Sequence, residues 1–191
     1  DGYVPILEGW FPFDGQTTTT YNNGSTPDER AMRFQIPFLG ACDGAWVRGD
    51  FDNDLDIVLY DSNGTTVLAT ASVDASARGT AAGANCIVRW APVTLQANTT
   101  YYLSVKPTTV SNISLYSFTV DVAGLMAAAV GGAQWYLSTK TDGGAFSDTT
   151  TERPHAGLHF AQVDDGAGGS TTIVINTQSP AVVWPGGVAG Y

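Results

Sequence analysis

Basic residues are what this chain has least of. Lysine and arginine together number 8, against 18 aspartates and glutamates, for a net charge of −10. Such a chain has no cationic footprint with which to displace counterions from nucleic acid or to settle on an anionic membrane. Glutamate is scarce beside aspartate, and lysine is reduced to Lys106 and Lys140. Helix-favouring Glu, Lys, Gln and Arg are therefore scarce, while Thr, Val and Tyr, which favour strands, are common. No apolar run approaches the roughly 20 residues of a membrane span. No signal-peptide pattern stands at the start, which is Asp1 rather than Met. No C-x-x-C spacing exists, so the two cysteines, Cys42 and Cys86, do not read as a metal site. Two readings of them stay open, a disulfide and a pair of buried thiols.

What is present is a β pattern, at its strongest in 50–74, DFDNDLDIVLYDSNGTTVLATASVD. Residues 56–61 (DIVLYD) form a short apolar run bounded by aspartates, and 66–71 (TVLATA) form its return strand. Asn63-Gly64 between them predicts a two-residue type I′ turn, which needs φ > 0 at both positions. Further strands are expected at 30–37, 42–51, 86–90, 101–105 and 115–122, at the spacing of a sandwich. In 42–51, Trp46 is expected to face the core. In 86–90 the two-residue period puts Cys86, Val88 and Trp90 on one face. Two more strands are expected at 133–141 and 157–163, with a polar turn at 142–151 between them, and a last one at 171–175. The one plausible helical turn is 123–130, stopped by Gly131-Gly132.

The expected fold is therefore all-β, a jelly-roll-like β-sandwich with extended N- and C-terminal segments. Residues 1–30 would form an arm, with Thr17 to Thr20 and the Asn/Gly run after them as exposed loop. Residues 31–166 would form the sandwich, with 31–122 as its core and 123–166 as added strands. Residues 167–191 would form a C-terminal strand and an apolar tail. Trp10, Phe11 and Phe13 in the arm, and Trp184 and Tyr191 in the tail, would be odd if left in water. They are the expected partner-binding residues.

The remaining candidate sites have plain alternatives. Asp50, Asp52, Asp54 and Asp56 alternate, as a calcium loop could, because hard cations want several oxygen ligands. The EF-hand spacing is absent, and a solvated acidic turn explains the same residues; calcium through Asp50, Asp52 and Asp54 is the only cofactor the pattern raises. His155 and His159 would lie about 13 Å apart along a strand, too far to share one metal. Pro154 and Gly157 disfavour the helix that would bring them together. Asp164-Asp165 follow closely, yet no nucleophile elbow accompanies them, so no hydrolase triad is read and no enzyme is expected. Five tryptophans, with Tyr101, Tyr102 and Tyr136, raise a glycan-stacking face; Trp46, Trp90 and Trp135 fall on strands and read more simply as core.

Two resemblances go further. RFQIP, DFDNDLDIVLYDSNGTTVLATA, TLQANTTYYLSVKP and LYSFTV, across 31–122, resemble the pre-peptidase C-terminal domain, a small non-catalytic sandwich of secreted enzymes. YNNGSTPDERAMRF, LYDSNGTTVLATASVD, TLQANTTYYLSVKPTT and STKTDGGAFSDTTTERPHAGLHFAQVDDGAGG, across nearly the whole chain, resemble a family encoded among bacteriophage structural genes. The second implies a virion component: a head decoration, fibre or tail-associated protein at the particle surface. Its partners would be other virion proteins or further copies of itself, with no nucleic acid and no membrane. It carries no catalytic residues. A carbohydrate-binding or host-attachment module, with a glycan as ligand, and an accessory domain of a secreted enzyme are the alternatives.

Overall fold

The computed structural model describes residues 3–4, 16–22, 28–74, 84–108, 112–119, 134–164 and 170–171. Among them there is no helix. The strands are β1 (Tyr3–Val4), β2 (Gln16–Asn22), β3 (Glu29–Gln35), β4 (Gly40–Phe51), β5 (Leu55–Tyr60), β6 (Val67–Val73) and β7 (Ala84–Leu95). They continue with β8 (Thr100–Pro107), β9 (Asn112–Thr119), β10 (Gln134–Lys140), β11 (Phe146–Thr149), β12 (Glu152–Pro154), β13 (Ala156–Asp164) and β14 (Ser170–Thr171). They form two antiparallel sheets packed as a β-sandwich. One has eight strands in the order β1-β13-β4-β9-β12, with β14 on β13, β2 on β9 and β7 on β4. The other has six, β11-β10-β3-β8-β5-β6.

The core lies where the inward residues of the two sheets meet. Met32, Phe34, Ile57, Leu59 and Leu103 line it from the smaller sheet; Cys42, Val47, Leu115, Leu158 and Phe160 line it from the larger. All are buried, and each large side chain removed from water contributes about 1.5–3 kcal/mol. The expected alternation of β7 is present: Cys86 and Val88 are buried, Trp90 packs against the core, and Ile87 points to water.

Trp46 departs from its expected place. It is only half-buried, while its neighbours Ala45 and Val47 are in the core. The cause is a β-bulge at Asp43, where Cys42 and Gly44 face the consecutive residues Phe160 and His159 of β13, which shifts the side-chain alternation by one residue. Without it, Cys42 would have carried Trp46, Arg48 and Asp50 inward. The same separation bears on the cysteines. Cys42 pairs with Val93 and Cys86 with Val47, so five residues of strand, about 16 Å, lie between them. No disulfide joins them; both are buried thiols. Burial, above all, pushes the Cys42 thiol up to about 12.

The turns also differ from expectation. Only Gly64 has positive φ in the β5–β6 turn, at 67°. Asp61 N bonds to Thr66 O, leaving residues 62–65 as a four-residue loop. The Asn63 carboxamide is the reason: its Oδ1 accepts from Thr65 N at 2.7 Å and Thr66 N at 2.8 Å, an Asx turn in place of type I′. The consecutive positive φ values that a type I′ turn needs occur instead at Asp142 (49°) and Gly143 (69°), between β10 and β11. Residues 142–151 thus hold a short strand where only a polar loop was expected. Thr17 to Thr20 are strand too, not exposed loop; their backbone pairs with β9 from Leu115 to Ser117 and beyond. β-branched threonine suits that extended backbone. The expected helical turn at 123–130 and most of the strand at 171–175 lie outside the described residues, as do Trp10, Phe11, Phe13, Trp184 and Tyr191.

Candidate functional site

The chemistry-bearing side chains that the fold gathers lie on the outer face of the larger sheet, where β13, β4 and β7 run side by side. Two outward rows cross these strands. One is Gly157–Trp46–Ile87 and the other is His159–Gly44–Arg89.

In the first row, the indole of Trp46 lies over Gly157. A Cβ at Gly157 would stand 2.3 Å from Trp46 Nε1, so only glycine admits the ring there. Ile87, on the other side of Trp46, is 59% exposed, the most exposed large hydrophobic side chain among the described residues. The row therefore runs from a covered indole to an open aliphatic tip.

In the second row, Gly44 leaves the space through which Arg89 crosses toward β13; a Cβ at Gly44 would stand 2.7 Å from Arg89 Cδ. Arg89 Nη1 reaches Asp43 Oδ2 at 3.3 Å and also touches His159 Nδ1. His159 Nδ1 in turn touches Asp43 Oδ1. The bulge that turned Trp46 outward also aims Asp43 at this cluster. With its proton on Nδ1, the imidazole donates to the Asp43 carboxylate, which the guanidinium also neutralises. Asp43 and His159 are 116 residues apart, and no local spacing connects them.

Beyond Trp46, Arg48 and Asp50 meet β9. Arg48 N bonds to His155 O at 3.0 Å, and His155 N to Tyr116 O at 2.7 Å, so His155 splices β4 to β9. The Arg48 guanidinium lies 5.8 Å from the centre of the Tyr116 ring, and Tyr116 donates its hydroxyl hydrogen to Asp50 Oδ1 at 2.9 Å. Burial lowers the pKa of His155, and the Arg48 charge lowers it further.

The acidic run is divided among separate jobs. Asp50 serves Tyr116, and Asp56 accepts from Ser72 Oγ at 2.7 Å. Asp52 and Asp54 are exposed in the β4–β5 loop, where the Asp54 carbonyl accepts from Thr108 N and Oγ1 at 3.2 and 2.9 Å. Among the described residues, no group of three or more His, Cys, Asp or Glu is placed to hold a metal ion.

The tyrosines raised as a glycan platform are otherwise engaged. Tyr101 is buried and accepts from Gln96 N at 2.9 Å. Tyr102 stacks on Phe146 with ring centres 4.4 Å apart. Tyr136 carries the Arg33 and Arg153 guanidiniums at 5.6 and 4.6 Å from its ring centre. Trp135 is core, and Trp90 Nε1 donates to Cys42 O at 3.2 Å.

The outer face of the smaller sheet holds a second polar cluster that no motif announced. Lys140 Nζ lies 3.3 Å from Glu29 Oε1 and donates to Gly64 O at 3.0 Å, with the rings of Tyr60 and Phe146 each 4.5 Å away. Glu29 also accepts from Ser104 Oγ at 2.7 Å and from Tyr60 at 3.3 Å. Burial, then the charge of Glu29, raises the Tyr60 phenol. Lys140 and Glu29 are both buried, so this cluster fastens the β5–β6 loop to the β10–β11 hairpin rather than meeting a ligand.

Compared with known protein families, curated proteins and solved structures, the chain has no match.

Proposed function

We propose that this chain is a non-enzymatic structural component of a bacteriophage particle, a jelly-roll-like sandwich that docks onto a neighbouring virion protein. The observation that carries the docking part is the row Gly157–Trp46–Ile87. It places an exposed aliphatic tip beside a rigid indole, between the polar groups Asp43, Arg89 and His159 on one side and Arg48, Asp50 and Tyr116 on the other. An apolar centre with a ring of Arg, Tyr and Asp is the composition of a protein contact. The net charge of −10 steers the chain toward a partner with a basic rim. The virion assignment rests on the resemblance of 141–158 (TDGGAFSDTTTERPHAGL) and its companion segments to phage structural proteins. Trp10, Phe11, Phe13, Trp184 and Tyr191 are the second expected contact.

The alternative, a glycan-binding attachment module, is favoured by one feature: Trp46 lies within reach of Arg48 and Asp50, and sugars are held by an aromatic ring flanked by hydrogen-bonding side chains. Two parallel measurements separate the readings. The native chain is incubated with purified phage particles and with an immobilised glycan panel. Retention on particles, lost in the Ile87→Asp variant, supports docking. Saccharide binding with no particle retention moves the assignment to the glycan.

A further inference from the structure

Among the described residues, Asn63-Gly64 is the one asparagine followed by glycine. Asparagine is thermolabile, and most so in this pair, because glycine puts no side chain beside the backbone nitrogen that attacks the carboxamide. In the β5–β6 loop both reacting groups are engaged. Gly64 N donates to Asp61 O at 3.0 Å. Asn63 Oδ1 accepts from Thr65 N and Thr65 Oγ1, both at 2.7 Å, and from Thr66 N at 2.8 Å. Asn63 Nδ2 donates to Thr66 Oγ1 at 3.0 Å, and Asn63 N donates to Asp61 Oδ1 at 3.0 Å. From beneath, Gly64 O accepts from the buried Lys140 Nζ at 3.0 Å, and a Cβ at Gly64 would stand 2.8 Å from the Phe146 ring. Attack requires the carboxamide to turn away from Thr65 and Thr66, and Gly64 N to leave Asp61. Asn63 is exposed, so water reaches it; hydrogen bonds, not burial, are the restraint.

We propose that Asn63 is a deamidation site gated by this loop: it converts only in molecules whose loop has opened, and the isoaspartate formed keeps the loop open. Gly64 N gives its proton to solvent and bonds to Asn63 Cγ. The bond from Cγ to Nδ2 breaks, and ammonia leaves with a proton from water. Water then opens the five-membered imide at either carbonyl carbon. Opening at Cγ gives aspartate, which keeps a side-chain oxygen where Oδ1 stood and closes the loop again. Opening at the former main-chain carbonyl gives isoaspartate. That product adds a methylene to the backbone and turns the oxygen that held Thr65 and Thr66 into a main-chain carbonyl. Gly64 O is thereby carried away from Lys140, so the change at the surface reaches the buried pair of Lys140 and Glu29. The row at Trp46 and Ile87 takes no part, so the site stands whether or not that row docks on a particle.

Ageing the full chain at neutral pH, in native buffer and in guanidinium, tests it, with the peptide around Asn63 read by mass spectrometry and isoaspartate separated from aspartate. In guanidinium Asn63 is expected to convert with isoaspartate among the products. In native buffer conversion is expected to be at least about tenfold slower, as for a minor state held by about 10% of molecules or fewer. Thr66→Val, at an exposed position, removes the Oγ1 that holds Nδ2. It is expected to speed conversion in native buffer and to leave the guanidinium rate unchanged. The aged chain isolated with isoaspartate at this position is expected to lose hydrogen-exchange protection at the Thr65 and Thr66 amides, while Asn63→Asp keeps it. Equal rates in the two solvents, no isoaspartate in guanidinium, a native rate unmoved by Thr66→Val, or full protection in the isoaspartate chain overturns the proposal.

Discussion

On the outer face of the six-stranded sheet, Lys140 and Glu29 lie buried beneath the β5–β6 and β10–β11 turns, with the rings of Tyr60 and Phe146 against the ammonium. On the outer face of the eight-stranded sheet, Ile87 stands in water beside a half-buried Trp46, and Asp43, Arg89 and His159 form their cluster next to it. Both faces combine aromatic rings with paired charges. The difference is cover. Where hairpins fold over the charges, each group is fixed by several partners and the cluster holds the fold together. Over the row no such hairpin lies among the described residues; His159 is buried, but Ile87 and the Arg89 guanidinium are presented outward. A charged cluster on this sandwich is therefore read by what covers it, not by which residues it contains.

Breaking the covered face has the largest expected effect. Lys140→Met removes the cation and leaves Glu29 buried with its charge, which is expected to cost about 3–5 kcal/mol in urea unfolding. Replacing both partners, as E29L/K140M, is expected to recover most of that loss, because no unpaired charge is then left inside. Next is the seat of Trp46. Gly157→Val drives a side chain into the indole, whose Nε1 lies 2.3 Å from the first added carbon. The expected cost is about 1–3 kcal/mol, with tryptophan emission shifting to the red as the ring leaves its seat.

A smaller effect is expected from pH. Burial, then Arg48, holds His155 below its ordinary 6.5. As pH falls the unfolded chain takes up the proton first, so this contribution to stability is full above 6.5 and is lost as pH falls below it. The urea midpoint is expected to drop between about pH 7 and pH 5, with a shallower slope in His155→Gln. Ile87→Asp is expected to change stability least, within about 0.5 kcal/mol, since it alters an exposed position.

How much of this could be read beforehand depended on distance along the chain. β5, β8 and β10 were legible: the strands expected at 56–61, 101–105 and 133–141 lie within two residues of those observed. The turn between β5 and β6 was placed correctly but given the wrong geometry: Asn63 acts there through its carboxamide, an acceptor that a dipeptide rule does not count. The outward aim of Trp46 was hidden by one extra residue at the bulge, which reverses every assignment after it. Asp43 and His159, or Glu29 and Lys140, are brought together by strand order alone, and nothing local to either residue signals the other. The three-strand row Gly157–Trp46–Ile87 is hidden for the same reason, since its members come from three separate segments.

The central claim, that the covered face maintains the fold while the open face makes the contact, is tested most directly by assaying Lys140→Met and Ile87→Asp side by side for urea midpoint and for co-sedimentation with purified particles. Ile87→Asp is predicted to lose co-sedimentation at an unchanged midpoint, and Lys140→Met to lose midpoint while its folded fraction still co-sediments. Particle binding by Ile87→Asp equal to that of the native chain would contradict the account.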